Sequence, residues 1–370
     1  MLPLFYNFLL FYAVARCDAL SVVSNFQLNA FLNDNYSSSR KFLVDITSAE
    51  SFILKSAEFE GEFGRGNVFD PTASSGFKNL SDIGVAVYFE QFNKDFSMAS
   101  GFVGQDRLNV SLRPVEGRFI VAHEIFGNVS VVGVDKETFA GRLGFSKRVS
   151  ELSTVVPAIY GKNPRILCLE VGLSKNKRSK ITTVTVGSFS PNLGAKSLYA
   201  RVPVVPHPEY YNINVSAVSI GNYNVKTTFL ATFTSTFDGI TVPESLFFQI
   251  VKALDAHFHN GFNEWVVSCG KNLPLKLQIA NSNIEVRFDA YTKAFGRRIC
   301  FLKLRKTNEK TLVLGLPFYV NNGVCFDQEK NEVHVYDATL NEDDRVYSGK
   351  NNFNFNGGIV SRKYEEFEFN

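Results

Sequence analysis

The stretch Phe42-Leu43-Val44-Asp45-Ile46-Thr47-Ser48-Ala49-Glu50-Ser51-Phe52-Ile53-Leu54 carries a single carboxylate out of one apolar run, through a Thr/Ser turn, towards another. An apolar run bounded by turn residues reads as a buried strand. The Asp at its end is either a reactive acid or a turn residue that accepts hydrogen bonds from nearby amides. Which of the two it is decides what the protein can do.

The chain has 370 residues, 45% hydrophobic and 20% charged, enough to bury a large core as two lobes or domains. It holds 36 Phe and 14 Tyr against one Trp and two Met, and Val, Thr and Ile fall in short runs, so strands outnumber helices. The expected fold class is mainly β. A net charge of +3, with no long Lys/Arg block, excludes nucleic acid as a partner.

Residues 1–15 are apolar and end in Ala13-Val14-Ala15, the pattern of a secretory signal peptide cleaved after Ala15. No later stretch approaches ~20 uninterrupted apolar residues, so no membrane span is expected in the mature chain. Asn-x-Ser sequons at Asn35, Asn79, Asn109, Asn128 and Asn214 are candidate glycosylation sites and suit a secreted, extracellular protein. The cysteines are Cys17, Cys168, Cys269, Cys300 and Cys325. Cys269 and Cys300 are the expected bridge, 31 residues apart (300 − 269), which the loop-entropy model values at about 3–4 kcal/mol. Cys168 either pairs with Cys325 or packs as a buried free thiol.

Along the chain, Phe26, Leu28 and Ala30 alternate with polar residues as in a half-buried strand. Gly61 to Ser81 is rich in turn residues, and its Gly61-Glu62-Phe63-Gly64-Arg65-Gly66 lacks the strand and helix a nucleotide loop requires. Two hairpins are expected: Leu108–Val121, turning over Pro114 to Gly117, and Leu275–Phe288, turning at Asn281-Ser282-Asn283. A helix starting at Pro243 places Leu246, Phe247, Ile250, Val251 and Leu254 on one face. Prolines at 203, 206 and 208 mark residues 203–208 as the linker between an N-terminal lobe, 16–202, and a C-terminal lobe, 209–338. Residues 339–370 read as a flexible tail.

Two features recur in both halves. The strand and turn Leu43-Val44-Asp45-Ile46-Thr47-Ser48 has a counterpart in Ala231-Thr232-Phe233-Thr234-Ser235-Thr236, and Val131-Val132-Gly133 matches Val313-Leu314-Gly315. With the mid-chain linker, the sequence resembles the pepsin-like aspartic peptidases, a bilobal β fold with a cleft between its lobes. Gly101–Asp106 is similar to the strand leaving that family's flap, and Tyr210–Ile213 to the opening strand of its second lobe. Leu312–Phe318 and Val324–Asp327 are similar to its C-terminal signature, and Cys269/Cys300 match its second-lobe disulfide.

The resemblance implies that each lobe supplies an Asp from an Asp-Thr-Gly-Ser/Thr turn. The two carboxylates share a proton, one acting as base on a water and the other as acid on the substrate carbonyl. Here the first turn keeps Asp45 but has Ile46 for the family's Thr and Thr47 for its Gly. The second has Thr234 where the Asp belongs, followed by Ser235 and Thr236. A threonine hydroxyl does not ionise near neutral pH and replaces neither function. Ile46 also removes a hydroxyl that bonds between the lobes in the family.

Asp238 would substitute only through a register shift that the helix at Pro243 opposes. Tyr88 matches the flap tyrosine or is simply a strand aromatic, and Phe89–Lys94 replaces the glycine-rich flap tip. His257 and His259 read as surface residues, with no metal and no cofactor expected. The 29 residues from 16 to 44 leave no room for the family's pro-segment. The expectation is a secreted, monomeric, non-catalytic relative of these peptidases with vestigial positions Asp45 and Thr234, binding a peptide or protein. An aspartic endopeptidase with an altered dyad and an extracellular structural protein are the alternatives.

Overall fold

The computed structural model describes residues 25–32, 39–63, 68–89, 96–110, 113–126, 139–173, 179–194, 197–296, 298–339, 353–355 and 358–366. The leader read in residues 1–15 and Cys17 lie outside them.

In the first half, strands Gln27–Leu32, Ser39–Asp45, Gly141–Gly144, Phe52–Leu54, Arg113–Phe126, Phe96–Val110 and Lys78–Phe89 lie side by side in that order. Phe42, Val44, Ile53 and Leu54 are buried, which is why this stretch reads as an apolar run rather than an alternation. The hairpin of Phe96–Val110 and Arg113–Phe126 turns earlier than expected. Val110 is opposite Arg113, and Pro114 and Gly117 lie within the second strand. Gly117 is there for close approach, since a Cβ would come within 2.5 Å of Val155 Cα.

The second half repeats the layout. Strands Asn212–Val215, Phe229–Phe233, Thr311–Leu314, Ile240–Pro243 and Leu304–Thr307 take the same order. Ser39–Asp45 runs parallel to Gly141–Gly144 with Asp45 opposite Gly144, and Phe229–Phe233 runs parallel to Thr311–Leu314 with Phe233 opposite Leu314. One further step sets Thr234 against Gly315, so Asp45 and Gly144 correspond to Thr234 and Gly315. Both glycines are required by packing: a Cβ would lie 2.5 Å from Glu50 O at Gly144 and 2.2 Å from Phe237 O at Gly315.

This register corrects one expectation. The counterpart of Val313-Leu314-Gly315 is Arg142-Leu143-Gly144, and Arg142 stands where the second half has Val313. The proposed counterpart Val131-Val132-Gly133 lies outside the described residues.

The helix Glu244–Leu254 buries Leu246, Phe247, Ile250, Val251 and Leu254, and ends at Asp255, whose left-handed φ of 52° lets its N–H reach the Lys252 carbonyl. The hairpin of Leu275–Ile279 and Ser282–Val286 buries Leu275, Leu277, Ile279, Ile284 and Val286.

A further sheet joins the halves in the order Leu198–Pro203, Glu332–Asp337, Asn322–Asp327, Ile166–Leu173, Ser179–Val186, Gly358–Glu366 and Phe353–Phe355. Pro203 closes an edge strand, where its missing N–H costs no ladder bond. The segment expected to be a flexible tail instead supplies two of these strands: Gly358–Glu366 pairs antiparallel with Ser179–Val186, from Ile359 opposite Val186 to Glu366 opposite Ser179. Cys168 and Cys325 face each other across this sheet and are bridged, and Cys269 is bridged to Cys300. One apolar core runs through both halves. Phe26 packs on Tyr319 with ring centroids 5.0 Å apart, and Tyr211 on Phe326 at 4.6 Å.

Candidate functional site

The ends of the two matched strands, Asp45 and Thr234, open into turns that meet between the halves. Ser235 makes the junction. Its Oγ donates to Val44 O at 2.7 Å and accepts from Ile46 N at 3.1 Å, so one hydroxyl clasps the backbone on both sides of Asp45. Ile46 itself is fully buried and contributes no hydroxyl. In the sequence, the one sign of this role is a small hydroxyl at the centre of the turn Thr234-Ser235-Thr236. Ser235→Ala is expected to cost about 1–3 kcal/mol in chemical denaturation, because buried Val44 O and Ile46 N both lose the group they share. Ser235→Thr, which keeps the hydroxyl, is expected to cost less.

Asp45 is 1% exposed and closely held. Its Oδ1 accepts from Thr47 N at 2.8 Å and from Thr47 Oγ1 at 2.7 Å, the side-chain-to-backbone turn that Asp favours. Its Oδ2 faces Arg142 Nη1 at 3.4 Å, and the Arg142 side chain is 3% exposed. The geometry follows from the register: Arg142 lies opposite Leu43, and Leu43 and Asp45, two apart, point to the same face. A guanidinium beside a carboxylate is an ion pair, and both side chains of this one are buried.

The corresponding place in the second half holds no acid. Thr234 is buried, its N–H donates to Leu314 O at 3.0 Å, and its Oγ1 lies 3.4 Å from Thr236 Oγ1 and accepts from Thr236 N at 3.4 Å. Asp238, the nearest acid along the chain, turns to Lys303 Nζ at 2.8 Å. Around the junction, Tyr211 OH donates to Phe145 O at 3.2 Å and Phe145 N to Asp45 O at 2.7 Å, bracing the first turn from the second half. Burial, with Glu209 and Asp45 nearby, raises the pKa of Tyr210 above that of an ordinary tyrosine. A single carboxylate already paired with a guanidinium is a poor seat for a cation.

The other candidates scatter. Tyr88 lies in the strand Lys78–Phe89 opposite Ser97, and its side chain lies outside the described residues, as do residues 90–95 of the flap tip. His257 and His259 are exposed on one short strand, with the His259 ring stacked on Phe262 at 4.4 Å. Of the sequons, Asn79 and Asn214 are exposed on strands, while Asn35 and Asn128 lie outside the described residues. Asn109 is 3% exposed, which corrects its candidacy, since a buried amide gives a glycan no access.

The eukaryotic aspartyl protease family model matches residues 37–338. No curated protein matches the sequence.

Proposed function

Since the chain belongs to the eukaryotic aspartyl protease family, we propose that it is a secreted member without peptidase activity that binds a peptide or protein. The reading rests on one observation: Oδ2 of Asp45 lies 3.4 Å from the buried Arg142 guanidinium, while Thr234 occupies the matching turn. Acid–base work by a carboxylate pair needs two like charges close enough to share one proton, with one group able to donate and the other to accept. A carboxylate paired with arginine, with Thr234 in the matching turn, has no second acid with which to share a proton. Thr234 offers a hydroxyl that donates only as a neutral group.

Two disulfides support passage through an oxidising compartment. Among the described residues no helix is long and apolar enough to cross a membrane. Extended-strand pairing is the binding mode that a β fold with a cleft would offer a peptide.

The purified protein is to be incubated at acid pH with denatured protein and a peptide library, with and without a transition-state-analogue inhibitor of aspartic peptidases. Neither wild type nor Thr234→Asp is expected to show inhibitor-sensitive cleavage, because in the variant Arg142 still holds Asp45. Inhibitor-sensitive cleavage by wild type that Asp45→Ala abolishes would overturn the reading in favour of an active endopeptidase. If no peptide in the library shifts the thermal unfolding, the binding half of the reading fails and an extracellular structural role replaces it.

A further inference from the structure

Where the strands Asn322–Asp327 and Glu332–Asp337 meet at their hairpin turn, remote in sequence from Asp45, three groups of metal-ligating type converge. Asp327 and Glu332 are directly opposite on neighbouring strands, and His334, two residues beyond Glu332, points to the same face. Their ligand atoms all lie within 4.8 Å of one another. Asp327 is 2% exposed and His334 8% exposed. The His334 Nε2 is buried without a hydrogen-bond partner and lies 3.6 Å from Glu332 Oε2, turned into the cluster. Leaving a ring nitrogen unsatisfied in a buried place is costly, and a ligand that accepts its lone pair removes that cost.

The surroundings suit such a ligand. Glu332 is gripped by Arg201, Nε to Oε2 at 2.7 Å and Nη2 to Oε1 at 2.9 Å, which fixes the carboxylate and leaves further lone pairs on each oxygen. Oδ1 of Asp327 accepts from Lys330 N at 3.0 Å, while Oδ2 faces the exposed Lys330 ammonium at 3.6 Å, which solvent readily takes back. Outer hydrogen bonds of this kind orient metal-bound carboxylates. The Phe189 ring, centroid 4.9 Å from that of His334, covers the site on one side.

We propose that Asp327, Glu332 and His334 form a divalent-cation site suited to Zn2+, with Arg201 and Lys330 N as outer partners and one position left for water. Zinc–oxygen and zinc–nitrogen bonds of about 2.0–2.2 Å place tetrahedral ligands about 3.4 Å apart. Small side-chain rotations therefore close the triad.

Metal-stripped full-length protein, free of any affinity tag, is titrated with Zn2+ by calorimetry and with Co2+ by visible absorption. Wild type is expected to bind one equivalent with a rise in Tm. Asp327→Asn and His334→Gln are each expected to weaken binding by at least about tenfold. His257→Ala/His259→Ala is expected to bind as wild type. Absence of binding by wild type, or binding that survives in both Asp327→Asn and His334→Gln, overturns the site, as does binding lost with His257 and His259. The Co2+ spectrum reports ligand type directly: bands lacking nitrogen ligation in folded wild type would also contradict it.

Discussion

Asp45→Ala is expected to lower the stability of the protein by about 3–5 kcal/mol, the cost of breaking a buried ion pair by removing one member. The residue left behind is Arg142, 3% exposed and unable to neutralise itself. The same change takes from Thr47 the acceptor for both its backbone N–H and its hydroxyl. An acid kept only for catalysis, in a site built around like charges, would behave in the opposite way: its removal relieves repulsion and usually leaves the fold intact or firmer. Denaturant titration with the disulfides intact separates the two.

Arg142→Leu is expected to be the second large loss, and the asymmetry between the two variants is informative. Leucine fills much of the space of the arginine stem, in a strand where the matching residue of the second half is Val313. Asp45 would keep both hydrogen bonds from Thr47. The loss at neutral pH is therefore expected to be smaller than for Asp45→Ala, on the order of 2–3 kcal/mol. Denaturation of wild type, Arg142→Leu and Asp45→Ala at one neutral pH checks the order. A loss larger than that of Asp45→Ala would contradict it.

Much of the fold was legible because one buried face imposes a period. The alternation over Leu275–Phe288 and the apolar face of Glu244–Leu254 each follow from burial of one side of an element. What escaped was set by partners distant in sequence. Gly117 suggested a turn, yet its lack of a Cβ answers the approach of Val155. Asn109 sits in a sequon that gives no sign that another strand covers it. The segment Gly358–Glu366 is rich in charge and looked detached, but a backbone ladder requires only N–H and C=O groups, and Ser179–Val186 offers them an edge.

At the site the sequence disclosed the absence of the second acid at Thr234 but not the group that replaced its influence. A search for an apolar pair before glycine settled on Val131-Val132-Gly133, because the true position begins with Arg142 and so breaks the pattern. The departure from the pattern is the residue that matters. Ser235 was hidden for a related reason: its partners, Val44 O and Ile46 N, lie about 190 residues away and are backbone atoms that any residue carries.

The interaction at the centre of this description is the pairing of Asp45 with Arg142, and a double-mutant cycle measures it most directly. Unfolding free energies are determined for wild type, Asp45→Ala, Arg142→Leu and the double variant at neutral pH. The double variant is expected to be destabilised by less than the sum of the single losses, with a coupling of about 2 kcal/mol or more, since each single change already breaks the same pairing. Single losses that add within about 0.5 kcal/mol would contradict the pairing and return Asp45 to the position of an acid awaiting some other partner.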